Sequence, residues 1–176
     1  PFANDIAKKS FREKVLENIR ISEGQVKLQS RLPFLLPDER IQITEERTDW
    51  QNAIRMASAP LLDNGFINRN YVDRAIDMVE TEKRFIMIAD GVIIAHAGVD
   101  DGVYCMGMSL LRLPEKLSFN GYMDADIIVV LATPDKTGHL PALYQLFDLL
   151  EDEGNINAMR RAGDVHEIAR LIRKYI

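Results

Sequence analysis

The side chains able to do chemistry in this sequence narrow quickly to three histidines. His96 closes the apolar run Val92-Ile93-Ile94-Ala95-His96-Ala97-Gly98. At the mouth of an apolar strand an imidazole loses solvation for its charged form, so a nitrogen lone pair stays available near neutral pH. A phosphoryl acceptor needs that property, and a hydrogen-bonded core histidine shares it; position alone leaves both readings open. His139 follows Thr133-Pro134-Asp135-Lys136-Thr137-Gly138 and stands where a helix should begin. Free backbone N–H groups at a helix N-terminus favour an anion such as phosphate. Thr137 could cap that helix instead, leaving His139 a first-turn residue. His166 falls off the apolar stripe Ile168, Leu171, Ile172 and Tyr175, and reads as a solvated surface residue.

Other chemistries find less support. His96, Cys105 and His139 lack the close ligand spacing of a zinc motif, so no metal site is expected. Cys105 sits inside a strand-like run and reads as core rather than nucleophile, and Met106 and Met108 also read as core filling. The glycines form neither a Walker A loop nor a dinucleotide fingerprint, and no cofactor is implied. Lys8, Lys9, Arg12 and Lys14 are diluted by Asp5, Glu13 and Glu17, and the formal net charge is −5. That balance reads as a solvated helix face rather than a nucleic-acid patch, since phosphate contacts demand a basic surface. A mildly acidic body suits a basic protein partner.

A chain of 176 residues, 47% apolar and 28% charged, is long enough for one packed domain with a short appendage. Its single cysteine forbids an internal disulfide and fits a reducing compartment. No apolar run is long enough to span a bilayer, and the N-terminus lacks the layout of a secretory signal. The expected location is the cytoplasm, with no membrane contact. The chain opens on Pro1 rather than Met, which reads as a fragment of a longer protein or a processed chain.

The elements that must position the histidines follow from periodicity. Phe11, Val15, Leu16 and Ile19 mark a helix over Asp5–Arg20. Leu32-Pro33-Phe34-Leu35-Leu36-Pro37 then breaks it and reads as a linker, with Ile41 and Ile43 in a short strand. Residues 1–46 are therefore expected to form an N-terminal helix and linker, and residues 47–176 the compact domain. Thr48 with Gln51 has the pattern of a capping box before a helix faced by Trp50, Ala53, Ile54, Ala57 and Leu61. Val72, Ala75, Ile76 and Val79 mark a second helix. Two short apolar runs flank Asp90-Gly91, a hairpin signal because both residues tolerate positive φ. Val103–Leu113 reads as a strand with a bulge at Gly107, and Asp126–Thr133 as a strand buried on both faces. Leu143, Leu146, Phe147 and Leu150 face a helix that Gly154 would stop. A short helix over Ile156–Arg161 and a last one opened by Asp164 and Glu167 complete the pattern. Strands in the middle with helices around them predict an α/β fold with a sheet sandwiched between helices.

An ordered set of segments carries a family resemblance. Gly91-Val92-Ile93-Ile94-Ala95-His96-Ala97 resembles the active-site segment of EIIA type 2 domains of the sugar phosphotransferase system, the mannitol, fructose and ascorbate class. Ser109–Leu113 with Phe119, then Asp126–Ala132 with His139, Leu140 and Leu143, resemble that family's later strands and second histidine. Trp50–Ile54, Pro60–Leu62 and Tyr71-Val72 also fit. The resemblance implies a mixed β-sheet between helices. It also implies a histidine, His96, that takes a phosphoryl group from the phosphohistidine of HPr, and a partner, His139, that hydrogen-bonds it. Ala95 stands where the family usually has proline, which would fix φ and remove a donor, so slower transfer is expected. The family's mannitol members also carry an upstream arginine, for which Arg84 is the nearest candidate.

The resemblance leaves three roles. Leu35–Gln42 leading into Glu45–Trp50, and Gly107–Leu113, are similar to the corresponding parts of BglG/MtlR-type transcriptional antiterminators or activators. There the domain would be a regulatory tail, with other domains of the same chain as partners. As a stand-alone component of a sugar transporter it would pass phosphate to an EIIB domain. As a degenerate module it would keep the fold and accept no phosphate.

Overall fold

The computed structural model describes Glu13 and residues 31–82 and 86–175. The helix expected over Asp5–Arg20 lies outside these residues, Glu13 apart, as does Arg84. The most apolar segment becomes the centre of the molecule. Strand β5 (Met123–Ala132) alternates its side chains between two cores, Ile127, Val129 and Leu131 to one and Ile128, Val130 and Ala132 to the other. A strand apolar at every position is stable only where both faces are covered. Around it the sheet runs in the order β1-β4-β5-β3-β2, with β1 at Ile41–Ile43, β2 at Ile86–Ala89, β3 at Val92–Ala95 and β4 at Gly107–Phe119. β5 runs antiparallel to β4 and parallel to β3, while β1 pairs parallel with β4.

Helices cover both faces, as the sequence predicts. α2 (Trp50–Asp63) and α3 (Arg69–Glu80) pack on one side, burying the stripes read from their periodicity. α1 (Leu32–Leu35), α4 (Leu140–Glu151), α5 (Glu153–Arg161) and α6 (Val165–Ile172) cover the other.

Several boundaries differ from expectation. The linker expected over Leu32–Pro37 contains α1, whose start accommodates Pro33 in the first turn, and Leu32, Leu35 and Leu36 are buried in the core. With β1 paired to β4, residues 32–43 belong to the packed body rather than to a lead-in before residue 47. The cap of α2 is Asp49, which accepts the Asn52 N–H at 2.8 Å; Thr48 instead accepts the Asn52 side-chain amide. β4 begins at Gly107, not Val103, and continues past Pro114 to Phe119. Its ladder slips between Arg112 and Leu117, where Pro114 has no N–H to donate. Gly154 does not stop a helix: α4 ends at Glu151, and Asp152 caps α5 by accepting the Gly154 N–H. Asp164 does cap α6, accepting the Glu167 N–H.

The β2–β3 hairpin turns on Asp90-Gly91 as its dipeptide predicts, with Gly91 at φ +68°. A side chain there would meet Arg160 and Asp126 as well as a strained backbone. The turn is fastened to β5: Asp126 and Ile127 N–H groups both donate to the Gly91 carbonyl, at 2.9 and 3.0 Å. Arg160 adds a bidentate pair to Asp126, at 2.7 and 3.0 Å, and donates to the Asp90 carbonyl at 2.7 Å. The strand that leads to His96 is thus anchored at its start.

Candidate functional site

Because β3 and β5 are parallel, their carboxyl ends open on the same edge of the sheet. The register pairs Ala95 with Val130, so His96 leaves the sheet level with Leu131, beside the loop that carries residues 133–139. Crevices at the carboxyl ends of parallel strands are where open α/β sheets hold ligands. Here the crevice is a cavity of about 280 Å³ lined by His96, His139, Thr133, Asp135 and Lys136 over an apolar floor that includes Ile94, Leu131 and Leu143. The two histidines picked out in the sequence therefore meet, although 43 positions separate them (139 − 96).

Each ring is half-buried. Nδ1 is buried in both rings. His139 Nδ1 has no hydrogen-bond partner among the described residues. Burial pulls the His139 pKa below the ordinary histidine value; the Asp135 carboxylate opposes the shift and neighbouring His96 adds to it. His139 is neutral near pH 7 and able to donate or accept without carrying charge.

The loop before His139 is organised by Asp135, whose carboxylate accepts the N–H groups of Thr137 at 2.9 Å and Gly138 at 2.6 Å. Those bonds hold its pKa below the ordinary range against the opposing effect of burial. Thr137 is not the helix cap: its carbonyl accepts the Leu140 N–H at 3.1 Å, and His139 occupies the cap position without a side-chain bond. With that N–H engaged and Pro141 lacking one, the helix end is a poorer anion site than its sequence implies. Ala95 is buried within β3 and paired to Val130, so the ladder restrains the backbone that proline would otherwise restrain.

Sequence reasoning missed the brace beneath the site. Tyr71 of α3 is fully buried, and its hydroxyl donates to the Leu131 carbonyl of β5. Burial pushes its pKa up to about 12, against a backbone hydrogen bond from Ala97 that lowers it. The phenol ties the end of β5 to the residue after His96. A buried tyrosine hydroxyl requires partners, which is the signal in the sequence that could have pointed to this role. Asp135 and Lys136, named in the sequence only as residues preceding His139, also line the cavity. Cys105, expected in the core, is exposed in the connection before β4 and does not line the cavity; Met106 is half-buried and Met108 fully buried. His166 is exposed as expected, with its Nδ1 3.2 Å from Asp38.

The depressed pKa of His139 has a measurable consequence. Below about pH 6.5 an unfolded chain protonates this residue while the folded one resists, so stability is complete above that pH and falls as pH drops toward the folded value. The slope from one such group is at most about 1.4 kcal/mol per pH unit. Urea unfolding between pH 7.5 and 5.5 should show a stability loss in the wild type that His139→Gln flattens. Equal slopes in the two proteins would contradict a buried neutral imidazole.

Comparisons with known proteins bear on the family and the fold. Residues 34–175 match the family model for the phosphoenolpyruvate-dependent sugar phosphotransferase system, EIIA 2. The mannitol-specific cryptic phosphotransferase enzyme IIA component of Escherichia coli is 28% identical over 143 residues, covering 81% of this chain and 97% of that protein. Its solution structure superposes with a TM-score of 0.75, covering 82% of this chain and 99% of the other. The ascorbate-specific EIIA component of Salmonella typhi is 28% identical over 141 residues, covering 78% of this chain and 92% of that protein. Enzyme IIA of the Escherichia coli mannitol system, solved in complex with phosphorylated enzyme IIB, shares the fold at 20% identity and a TM-score of 0.66, over 77% of this chain and 95% of that one. The chain belongs to the EIIA type 2 family of the phosphoenolpyruvate-dependent sugar phosphotransferase system.

Proposed function

We propose that this cytoplasmic domain is a phosphohistidine carrier in which Nε2 of His96 takes a phosphoryl group from the phosphohistidine of HPr and Nε2 of His139 hydrogen-bonds it. The observation that carries this reading is the convergence of the two rings on one cavity at the carboxyl edge of β3 and β5, each with Nδ1 buried. A neutral imidazole attacks phosphorus in line, and fixed neighbours stabilise charge spread over the peripheral oxygens. His96 is taken as the acceptor on the family resemblance, and its strand is supported at the turn before it by Arg160 and in the loop after it by Tyr71.

On this reading the domain serves as the regulatory part of a BglG/MtlR-type antiterminator or activator, supported by the resemblance of Gly107–Leu113 and of Glu45–Trp50. The Leu35–Gln42 resemblance carries less weight, because that segment packs into the fold, with Leu35, Leu36 and Ile41 buried. A second reading, a transporter component that hands phosphate to EIIB, is favoured by the near-complete coverage of mannitol and ascorbate IIA components.

One experiment addresses all of these. The protein is incubated with phosphoenolpyruvate, Enzyme I and HPr, and acid-labile phosphate is mapped in wild type, His96→Ala and His139→Ala. Label should vanish in His96→Ala; label retained there would place the acceptor elsewhere. Discharge of the labelled wild type by an EIIB domain of the mannitol or ascorbate class would favour the transporter reading. A wild type that stays unlabelled beside a labelled EIIA control would identify a binding module that no longer accepts phosphate.

A further inference from the structure

A phosphoryl group brings close to two negative charges into the cavity, and the groups available to meet them can be followed one at a time. The backbone donors at the rim are largely engaged. Asp101 accepts the Gly98 N–H at 2.7 Å, Asp135 accepts those of Thr137 and Gly138, and the Leu140 N–H goes to Thr137. The Ala97 backbone serves Tyr71. Asp135 adds a negative charge to the lining, and His139 contributes a dipole but no charge at neutral pH. Among the described lining residues the only lysine or arginine is Lys136. It is exposed, forms no ion pair with a described residue, and sits on the same loop as His139.

We propose that Lys136 is a catalytic residue of this site, its ammonium group meeting the phosphoryl oxygens as they move onto His96. This rests on the phosphohistidine reading and adds the cation that reading requires. In the step itself the lone pair of the neutral His96 ring forms the new N–P bond. The N–P bond to the donor imidazole breaks, and the donor ring keeps that electron pair. No proton needs to move, but the peripheral oxygens carry their negative charge throughout and gather it in a loose transition state. A lysine fits a site that must later release the group, because it offers a mobile point charge rather than the rigid bidentate fork of arginine.

The test measures the rate of His96 phosphorylation in wild type, Lys136→Gln and Lys136→Arg, with two donors: phosphorylated HPr and the small donor phosphoramidate. Lys136→Gln should lower the rate constant at saturating donor by about tenfold to a hundredfold with both, less than the roughly hundredfold to thousandfold lost with a buried oxyanion-hole donor, because Lys136 is exposed. Lys136→Arg, which keeps the charge, should recover most of it. A loss confined to the KM for HPr, with phosphoramidate unaffected, would make Lys136 a docking residue and overturn the proposal. So would a Lys136→Gln protein that labels at the wild-type rate while His96 is labelled in both, which leaves the phosphohistidine reading intact. A wild type unlabelled at His96 by either donor would remove both together.

Discussion

Replacing Arg160 with methionine should lower the unfolding free energy by about 3 kcal/mol, a large part of the margin of a domain this size. The guanidinium lies against Asp126, whose side chain is only 10% exposed, and the same group holds the Asp90 carbonyl at the hairpin turn. Hydrogen bonding to the Asp126 carboxylate raises the Arg160 pKa despite partial burial, so the pair stays ionised. Methionine keeps much of the packing volume but leaves a desolvated carboxylate and a turn carbonyl without their donor. The cost comes mainly from what is left behind, not from the intrinsic worth of the ion pair. A double variant, Arg160→Met with Asp126→Leu, should therefore be more stable than Arg160→Met alone. Urea denaturation of the wild type, both single variants and the double variant measures the coupling. A loss in Arg160→Met below about 0.5 kcal/mol, the range of ordinary surface substitutions, would show that Asp126 finds solvent without rearrangement.

Tyr71→Phe should cost about 1–3 kcal/mol, the penalty for leaving buried polar groups without a partner. The ring itself stays, so the packing of α3 is unchanged. What is lost is the hydroxyl that receives the Ala97 N–H and donates to Leu131, the link between the loop after His96 and the end of β5. Because its pKa is pushed to about 12, the phenol is neutral at every working pH, and the link does not depend on pH. We expect His96 to remain the labelled residue in Tyr71→Phe, with a several-fold slower transfer and faster exchange of the Ala97 amide. A merely structural tyrosine would lower stability and leave both the transfer rate and the amide exchange near wild type. Tyr71 is in this sense a positioning residue, acting on the acceptor through the backbone.

The elements most legible in the sequence were those set by local chemistry. Asp90-Gly91 demanded a tight turn because few dipeptides tolerate positive φ, and the turn is there. The unbroken apolar run of β5 required cover on both sides, which implied helices in two layers. Asp164 capped α6 because an oxygen two or three residues before a helical N–H satisfies an otherwise orphan donor. The misread segments share a different property. Leu32–Leu36 looks like a proline-broken linker because local preference there is weak, yet burial of its three leucines against α4 outweighs that preference. Cys105 and Val103 looked like strand because they are apolar and adjoin Gly107, but no neighbouring strand reaches them beyond an isolated bridge from Val103 to Ile67. Pairing, not composition, decides where a strand begins.

The same division runs through the site. By itself the sequence determined that His96 closes an apolar strand, where a neutral imidazole is favoured, and that His139 stands at the start of a helix. It determined the family as well, through the order of its segments, because those patterns are carried by residues close together along the chain. Only the tertiary structure decided that His96 and His139 share a cavity, since that depends on β3 and β5 running parallel side by side, with β4 placed on the far side of β5. It alone joined Tyr71 to Leu131, 60 residues apart, and Arg160 to Asp126, 34 apart. Such contacts depend on register and layer order, which are settled by the burial of the whole sheet and leave no local trace in the chain.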